Sequence, residues 1–239
     1  MRSFGIDTIG LAVPAAAGGG RRRMKLPRGG VISFSWGRAL IEASIPKRIY
    51  GHNLSLVTTE TLVSEIALML EEANELMPIW IEDPTELRIA RLDVARDFEH
   101  VHDPERLLPL IAVRPLRQNW PTSLTGTKGH LNTLKLGASK NWRLSFYDKS
   151  HETGHDERAL FVLRSEARLR SKTLAQSRWA HNVGGVVRCL ADLDDEKLHA
   201  LARGTFLRVR ADEPVTDEKG TSFRLDWDEG SLLSWPPTS

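Results

Sequence analysis

"HLNTLKLGASKNWRLSFYDKS", residues 130–150, holds two runs of alternating apolar and polar side chains around the short stretch ASKN at 138–141. Period-two alternation on both sides of a small, polar turn predicts an antiparallel hairpin. Successive strand residues face opposite sides. In the second arm Trp142, Leu144, Phe146 and Asp148 therefore share one face, and Arg143, Ser145, Tyr147 and Lys149 share the other. One of only two tyrosines in the chain thus falls on a polar, basic face.

Outward from the hairpin, more strands are legible. "GIDTIGLAVP" (5–14) reads as a first strand stopped by Pro14, "VISFSW" (31–36) as a second and "ALIEASIP" (39–46) as a third. "AAAGGGRRRMKLPRGG" (15–30) is glycine-rich and basic and reads as a mobile loop. Thr58 or Thr59 caps a helix over 60–77, with an apolar face of Leu62, Val63, Ile66, Met69, Leu70, Ala73, Leu76 and Met77. "LRIARLDVARDFEHV" (87–101) reads as a strand, "DPERLLPLIAV" (103–113) as a short helix, and "ALFVLRSEARLRS" (159–171) as another strand. "DDEKLHALARG" (194–204) reads as a helix ending near Gly204, and the tail "DEGSLLSWPPTS" as weakly ordered. Strands and a few helices without β-α alternation predict an α+β fold with a mainly antiparallel sheet.

The 239 residues, 41% hydrophobic and 27% charged, suit one large water-soluble domain or a domain with a smaller appendage. The expected division is a main domain over 1–180 and a C-terminal extension over 181–239. No apolar run is long enough to span a bilayer, and no secretory pattern opens the chain. The lone cysteine, Cys189, rules out an intrachain disulfide. Residues 181–239 carry 11 acids and 7 bases; residues 1–180 carry 26 bases and 20 acids. The bases cluster at 18–25, 139–149 and 164–178, which is either a solvated surface or a footprint for a polyanion.

The polar faces carry chemistry. Arg91 and Asp93 align in one strand, Tyr147 and Lys149 in a second, and Arg164, Glu166, Arg168 and Arg170 in a third. A phenol ionises near pH 10 and is a poor nucleophile at neutrality. Adjacent cations favour the phenolate. Carboxylates on neighbouring strands suit Mg²⁺ or Mn²⁺, which would offset the charge of a phosphodiester. By spacing alone this pattern also describes an ordinary strand tyrosine.

Several segments together resemble the replication initiators of filamentous phages, the gene II/X group, and more distantly the rolling-circle initiators of small plasmids. "IDTIGLAVP" is similar to that family's opening strand. "EASIPKRIYGHN" (42–53) carries its signature at Ala43, Ser44, Lys47, Gly51, His52 and Asn53. "IARLDVA" supplies Arg91 and Asp93, "QNW" follows at 118–120, and the hairpin leads to a tyrosine-x-lysine pair at Tyr147 and Lys149. "LRSEARLRSKTL" (163–174) supplies Arg164, Glu166, Ala167 and Arg168. The resemblance implies a site-specific, topoisomerase-like nicking and joining endonuclease. Its tyrosine, here Tyr147 and not Tyr50, would cut an origin strand and stay bound to the 5′ phosphate. The freed 3′ hydroxyl would prime a host polymerase, with a host helicase as a further partner, in the cytoplasm of a bacterial host. It implies Lys149 as a catalytic partner and Asp93 and Glu166 as ligands for Mg²⁺ or Mn²⁺. DNA contacts would fall to Arg91, Arg143, Arg164, Arg168, Arg170, Lys47 and His52.

Other readings stand beside it. His100-Val101-His102 is either a metal-binding pair or two surface histidines. His151 and His155 read as loop residues. His52 is either a turn residue or a phosphate contact. Asp97 and Glu42 are candidates for a further ligand. Arg21 to Arg23 read as a flexible surface able to touch phosphates. Trp120, Trp142 and Trp179 are candidates to stack on bases, with core packing favoured for Trp142 by its face. As an alternative to catalysis, the chain would bind origin or single-stranded DNA without cutting it.

Overall fold

In the computed structural model, residues 4–15, 22–35, 37–77, 79, 81, 83–112, 121–127, 130–137, 140–176 and 186–235 are described. The chain divides into two compact units, Met1–Val94 with Leu169–Ala200, and Ala95–Arg168 with Leu201–Ser239. Position 180, the boundary expected from the sequence, lies outside the described residues, as do the QNW triplet, Arg21 and Trp179.

In the first unit, β1 (Phe4–Pro14) pairs antiparallel with β4 (Arg38–Ser44), β4 with β3 (Val31–Ser35), and β3 with β2 (Arg22–Lys25). On the other side of β1 lies β5 (Arg88–Phe98). The strand β2 corrects the expectation of a loop throughout 15–30. Arg22 and Arg23 pair with Phe34 and Ser33, and the following turn is pinned by a buried arginine. That arginine, Arg48, donates to Glu65 at 2.7 Å, to Glu72 at 2.8 Å and to the Gly29 carbonyl. Its burial among two carboxylates and a carbonyl makes breaking any one partner costly.

Two helices follow β4. The first, α1 (Ile45–Tyr50), begins inside the segment that reads as a strand to Pro46. Ser44 is its N-cap residue, Pro46 fits its first turn, and Gly51 ends it at φ +76° with its N–H on the Lys47 carbonyl. The second, α2 (Thr59–Leu76), buries Leu62, Ile66, Met69, Leu70 and Ala73 as the periodicity requires. Val63 and Leu76, counted on that face, are exposed, and Met77 is extended. The core of this unit includes Ile6, Ile9, Leu11, Ile32, Ile41 and Ile45, all fully buried.

In the second unit, β7 (His130–Leu136) and β8 (Trp142–Asp148) form the antiparallel hairpin expected from the sequence. Leu134 faces Phe146 and Leu136 faces Leu144 on the core side. Gly137, at φ +68°, lies against the Trp142 ring so closely that a Cβ would sit 2.3 Å from it. A further strand, β6 (Thr122–Thr127), pairs with β7; "TSLTGT" lacks the alternation that marks a strand. Beyond β8 the order continues to β9 (Leu163–Arg170), which neighbours β5. The helix expected from Asp103 is α3 (Pro104–Ala112), whose Arg106 N–H is accepted by Asp103. A four-residue turn, α4 (Lys149–Glu152), follows β8, and another, α5 (Ser171–Leu174), follows β9.

The last long helix, α6 (Asp195–Arg208), does not stop at Gly204. Phe206 beyond it is fully buried, and that burial outweighs the roughly 1 kcal/mol cost of a helical glycine. Phe206 stacks on Phe98 at 5.4 Å and packs on Trp227 at 5.0 Å, with Phe146 at 6.1 Å. Of the tail expected to be weakly ordered, residues 228–235 are ordered, and 236–239 lie outside the described residues. β10 (Val215–Thr216), β11 (Ser222–Asp226) and β12 (Ser231–Trp235) form a small antiparallel sheet. It is fastened by non-local contacts: the Glu99 N–H donates to the Gly230 carbonyl at 2.8 Å, and the Arg96 guanidinium to the Asp228 carbonyl at 2.8 Å. Among the described residues no helix is long and apolar enough to cross a membrane. The architecture is α+β with a large, mainly antiparallel sheet.

Candidate active site

The hairpin register places Thr133 opposite Tyr147 and Lys135 opposite Ser145. Arg143, Lys135, Tyr147 and Glu166 thereby line a cavity of about 400 Å³ in the second unit, with His151 and Glu152 at its wall. The Tyr147 hydroxyl donates to Oε2 of Glu166 at 3.1 Å. The phenol is half-buried, and Glu166 is 9% exposed with Arg168 3.5 Å from its other oxygen. A phenol whose proton already points at a carboxylate has an acceptor for that proton. Lys135 is absent from the residues the sequence singles out. Its signal is the hairpin register, which sets it across from the residue between Arg143 and Tyr147 along that face.

Lys149 does not share the strand face of Tyr147. Asp148 ends β8 by accepting the N–H groups of Ser150, at 2.9 Å, and His151, at 3.4 Å, and the chain turns into α4. The Lys149 side chain is 1% exposed, paired with Glu152 at 2.5 Å. Its ammonium still lies 5.5 Å from the Tyr147 ring centroid. His151 and His155, which read as loop residues, are respectively in and just after α4; the Asn132 amide lies 3.1 Å from the His151 ring.

Arg164 is not a surface cation. It is 0% exposed and grips Asp97 through two bonds of 2.5 and 2.7 Å. Both residues are thereby withdrawn from the roles expected of them, DNA contact for Arg164 and metal ligation for Asp97. Alternation gives their strand faces; the depth at which those faces are covered is not visible in the sequence.

In the first unit Asp93 is also fully buried. Arg91 donates to its Oδ1 at 2.9 Å and its second arm closes on Oδ2. Arg91 also approaches Glu42 at 3.5 Å, as does Arg170 at 3.3 Å. Gly10 makes room for this charge cluster, since a Cβ there would lie 3.0 Å from Arg91 and 3.1 Å from Glu42. Lys47 is exposed on α1. His52 stacks on Tyr50 at 5.9 Å, and its Nδ1 accepts the Leu54 N–H at 3.3 Å, which gives the turn role a geometry.

Oxygen donors such as Asp93 and Glu166 have the right chemistry for Mg²⁺ or Mn²⁺. Among the described residues, however, no three His, Cys, Asp or Glu side chains are gathered closely enough to hold a metal ion. Using Asp93 as a ligand would require its pair with Arg91 to open. His100 has φ +62°, so the alternation of β5 does not continue through the His-Val-His triplet.

Residues 38–188 match the family model described as the N-terminal region of a phage replication-associated protein. The match covers more than half of the chain and spans Asp93, Tyr147 and Glu166, and the chain belongs to this family of replication-associated proteins. The chain is also similar to a solved rolling-circle replication initiator protein from Geobacillus stearothermophilus. That likeness is 16% in identity over 70% of this chain and 74% of that one, with a TM-score of 0.34. Comparison with curated proteins gives no match.

Proposed function

We propose that this chain initiates rolling-circle DNA replication by nicking and rejoining one strand through Tyr147. The observation that carries this reading is the Tyr147–Glu166 hydrogen bond, 3.1 Å long, in a cavity also lined by Lys135 and Arg143. Glu166 takes the phenol proton as Oη attacks a backbone phosphorus. The bond from phosphorus to the 3′ oxygen breaks, the 3′ oxygen leaves and gains a proton, and the 5′ phosphate remains on Tyr147. Rejoining is the reverse, with the 3′ hydroxyl attacking the phosphotyrosine. Lys135 and Arg143 offset phosphate charge beside the nucleophile. Lys149, buried against the tyrosine ring and paired with Glu152, holds that ring in place. A bound Mg²⁺ or Mn²⁺ would polarise the phosphoryl oxygen, with Glu166 as the candidate carboxylate beside the nucleophile, while Asp93 in the first unit stays paired with Arg91. Arg168, Arg170, Lys47 and His52 are proposed to position the DNA backbone. Host helicase and polymerase would act after the nick.

The test is incubation with single-stranded origin DNA and Mg²⁺, followed by a search for a denaturant-resistant protein–DNA adduct. Tyr147→Phe abolishes the adduct and Tyr50→Phe retains it. An adduct that survives Tyr147→Phe removes Tyr147 as the nucleophile. Binding without any adduct in the unmodified chain selects the alternative, a non-cutting origin binder.

A further inference from the structure

A second cavity, about 190 Å³, lies in the second unit and takes no part in the proposed strand transfer. His100, His102, Arg106, Leu107, Phe223 and Leu232 line it. Three features distinguish it from a packing fault. First, its planar groups are held by neighbours. The His102 ring packs on Phe161 at 4.3 Å, and the Arg106 guanidinium lies 5.5 Å over the Phe223 ring while paired with Asp217. Second, Phe161 is 48% exposed although it is a large aromatic in a short turn. Third, two non-glycine residues at this place adopt left-handed backbone, His100 at φ +62° and Phe161 at φ +61°. The two segments are tied by the Val101 N–H on the Phe161 carbonyl at 2.9 Å. Each such conformation costs on the order of 1 kcal/mol, and bulky side chains rarely hold it without a role.

We infer that this cavity receives an unpaired nucleobase, held among the His102 and Phe223 rings with its polar edge toward Arg106. Flat, pre-oriented rings bind any base by stacking, since every base presents a π-face. The apolar floor of Leu107 and Leu232 excludes water from that contact, and a few polar groups at the rim fix orientation, as in ligand sites generally. The inference rests on the proposed function only for the source of the base, a single DNA strand. The stacking site itself stands on the cavity.

The test uses the full chain and a single-stranded oligonucleotide carrying 5-iodouracil, crosslinked by light, with the adduct mapped by mass spectrometry. A parallel arm uses dAMP as a competitor, to separate a base on a strand from a free nucleotide. Crosslinks to the segments holding His102 or Phe223 support the site, and dAMP competing at equal concentration overturns the strand as the source and assigns the site to free nucleotide. His102→Ala weakens oligonucleotide binding about tenfold, the size of one lost stack, whereas His102→Phe retains it. His100→Gly, which removes both the ring and the left-handed strain, raises Tm and weakens binding. The phosphotyrosine adduct at Tyr147 is scored separately, so loss of nicking leaves this reading intact. Crosslinks absent from both segments, or unchanged affinity in His102→Ala with a normal Tm, overturn it.

Discussion

The hydroxyl of Tyr147 donates to a carboxylate oxygen of Glu166, 3.1 Å away across two strands of one sheet. A half-buried phenol hydroxyl needs an acceptor, and here that acceptor is a nearly buried acid. In the proposed strand transfer the pair serves as nucleophile and proton acceptor together.

Glu166→Gln preserves the shape and a hydrogen-bond acceptor but not the base. Adduct formation with origin DNA therefore slows by about 10²- to 10⁴-fold, the usual contribution of a general base. Binding of the same DNA, measured by fluorescence anisotropy, stays within a few fold. If both fall together, Glu166 is holding the fold and not the proton.

Arg164 and Asp97 form a buried pair in which each side chain satisfies the other. Arg164→Met leaves Asp97 without its hydrogen-bonded buried partner, and lowers unfolding free energy by about 3–5 kcal/mol in urea titration. Arg164→Met combined with Asp97→Leu recovers most of that loss. A single variant as stable as the parent would show that the pair contributes nothing.

Gly137→Ala places a methyl group inside the Trp142 ring at a backbone angle that disfavours side chains. Strain and overpacking together destabilise the hairpin by roughly 2–4 kcal/mol. Trp142→Leu in the same chain relieves the clash and leaves only the backbone part. Because this hairpin carries Tyr147, adduct yield in Gly137→Ala falls with the folded fraction and recovers at lower temperature.

Two carboxylates set part of the acid response. Backbone N–H groups of Arg188 and Cys189 hold the Asp192 carboxyl below its ordinary range, and those of Glu229 and Asp228 do the same for Asp226. A carboxyl whose folded pKa is depressed stabilises the fold above its unfolded value, near 3.9, and that stability is lost as pH falls through the folded value. Tm therefore declines on acidification through pH 4 and below. Asp226→Asn and Asp192→Asn each flatten part of that decline while leaving the profile between pH 6 and pH 8 parallel to the parent. An acid limb unchanged in both variants assigns the decline to other carboxylates.

The sequence by itself determined the strands that carry the candidate site. Strict alternation in 142–148 and 163–170 set Tyr147 apart from Leu144 and Phe146, and put Arg164, Glu166 and Arg168 on one face. It also determined the long amphipathic helix and the family, because ordered motifs survive without knowledge of the fold. Alternation names a face but says nothing of what covers it. Only the tertiary structure buried Arg164 against Asp97, closed Arg91 over Asp93 and turned Lys149 inward, since each of those outcomes depends on how the strands and turns are packed and covered. The ordered C-terminal sheet and the strand at Arg22–Lys25 were decided the same way. Their local sequences are weak strand formers, and contacts such as Glu99 with Gly230 and Arg48 with Gly29 supply what local propensity lacks.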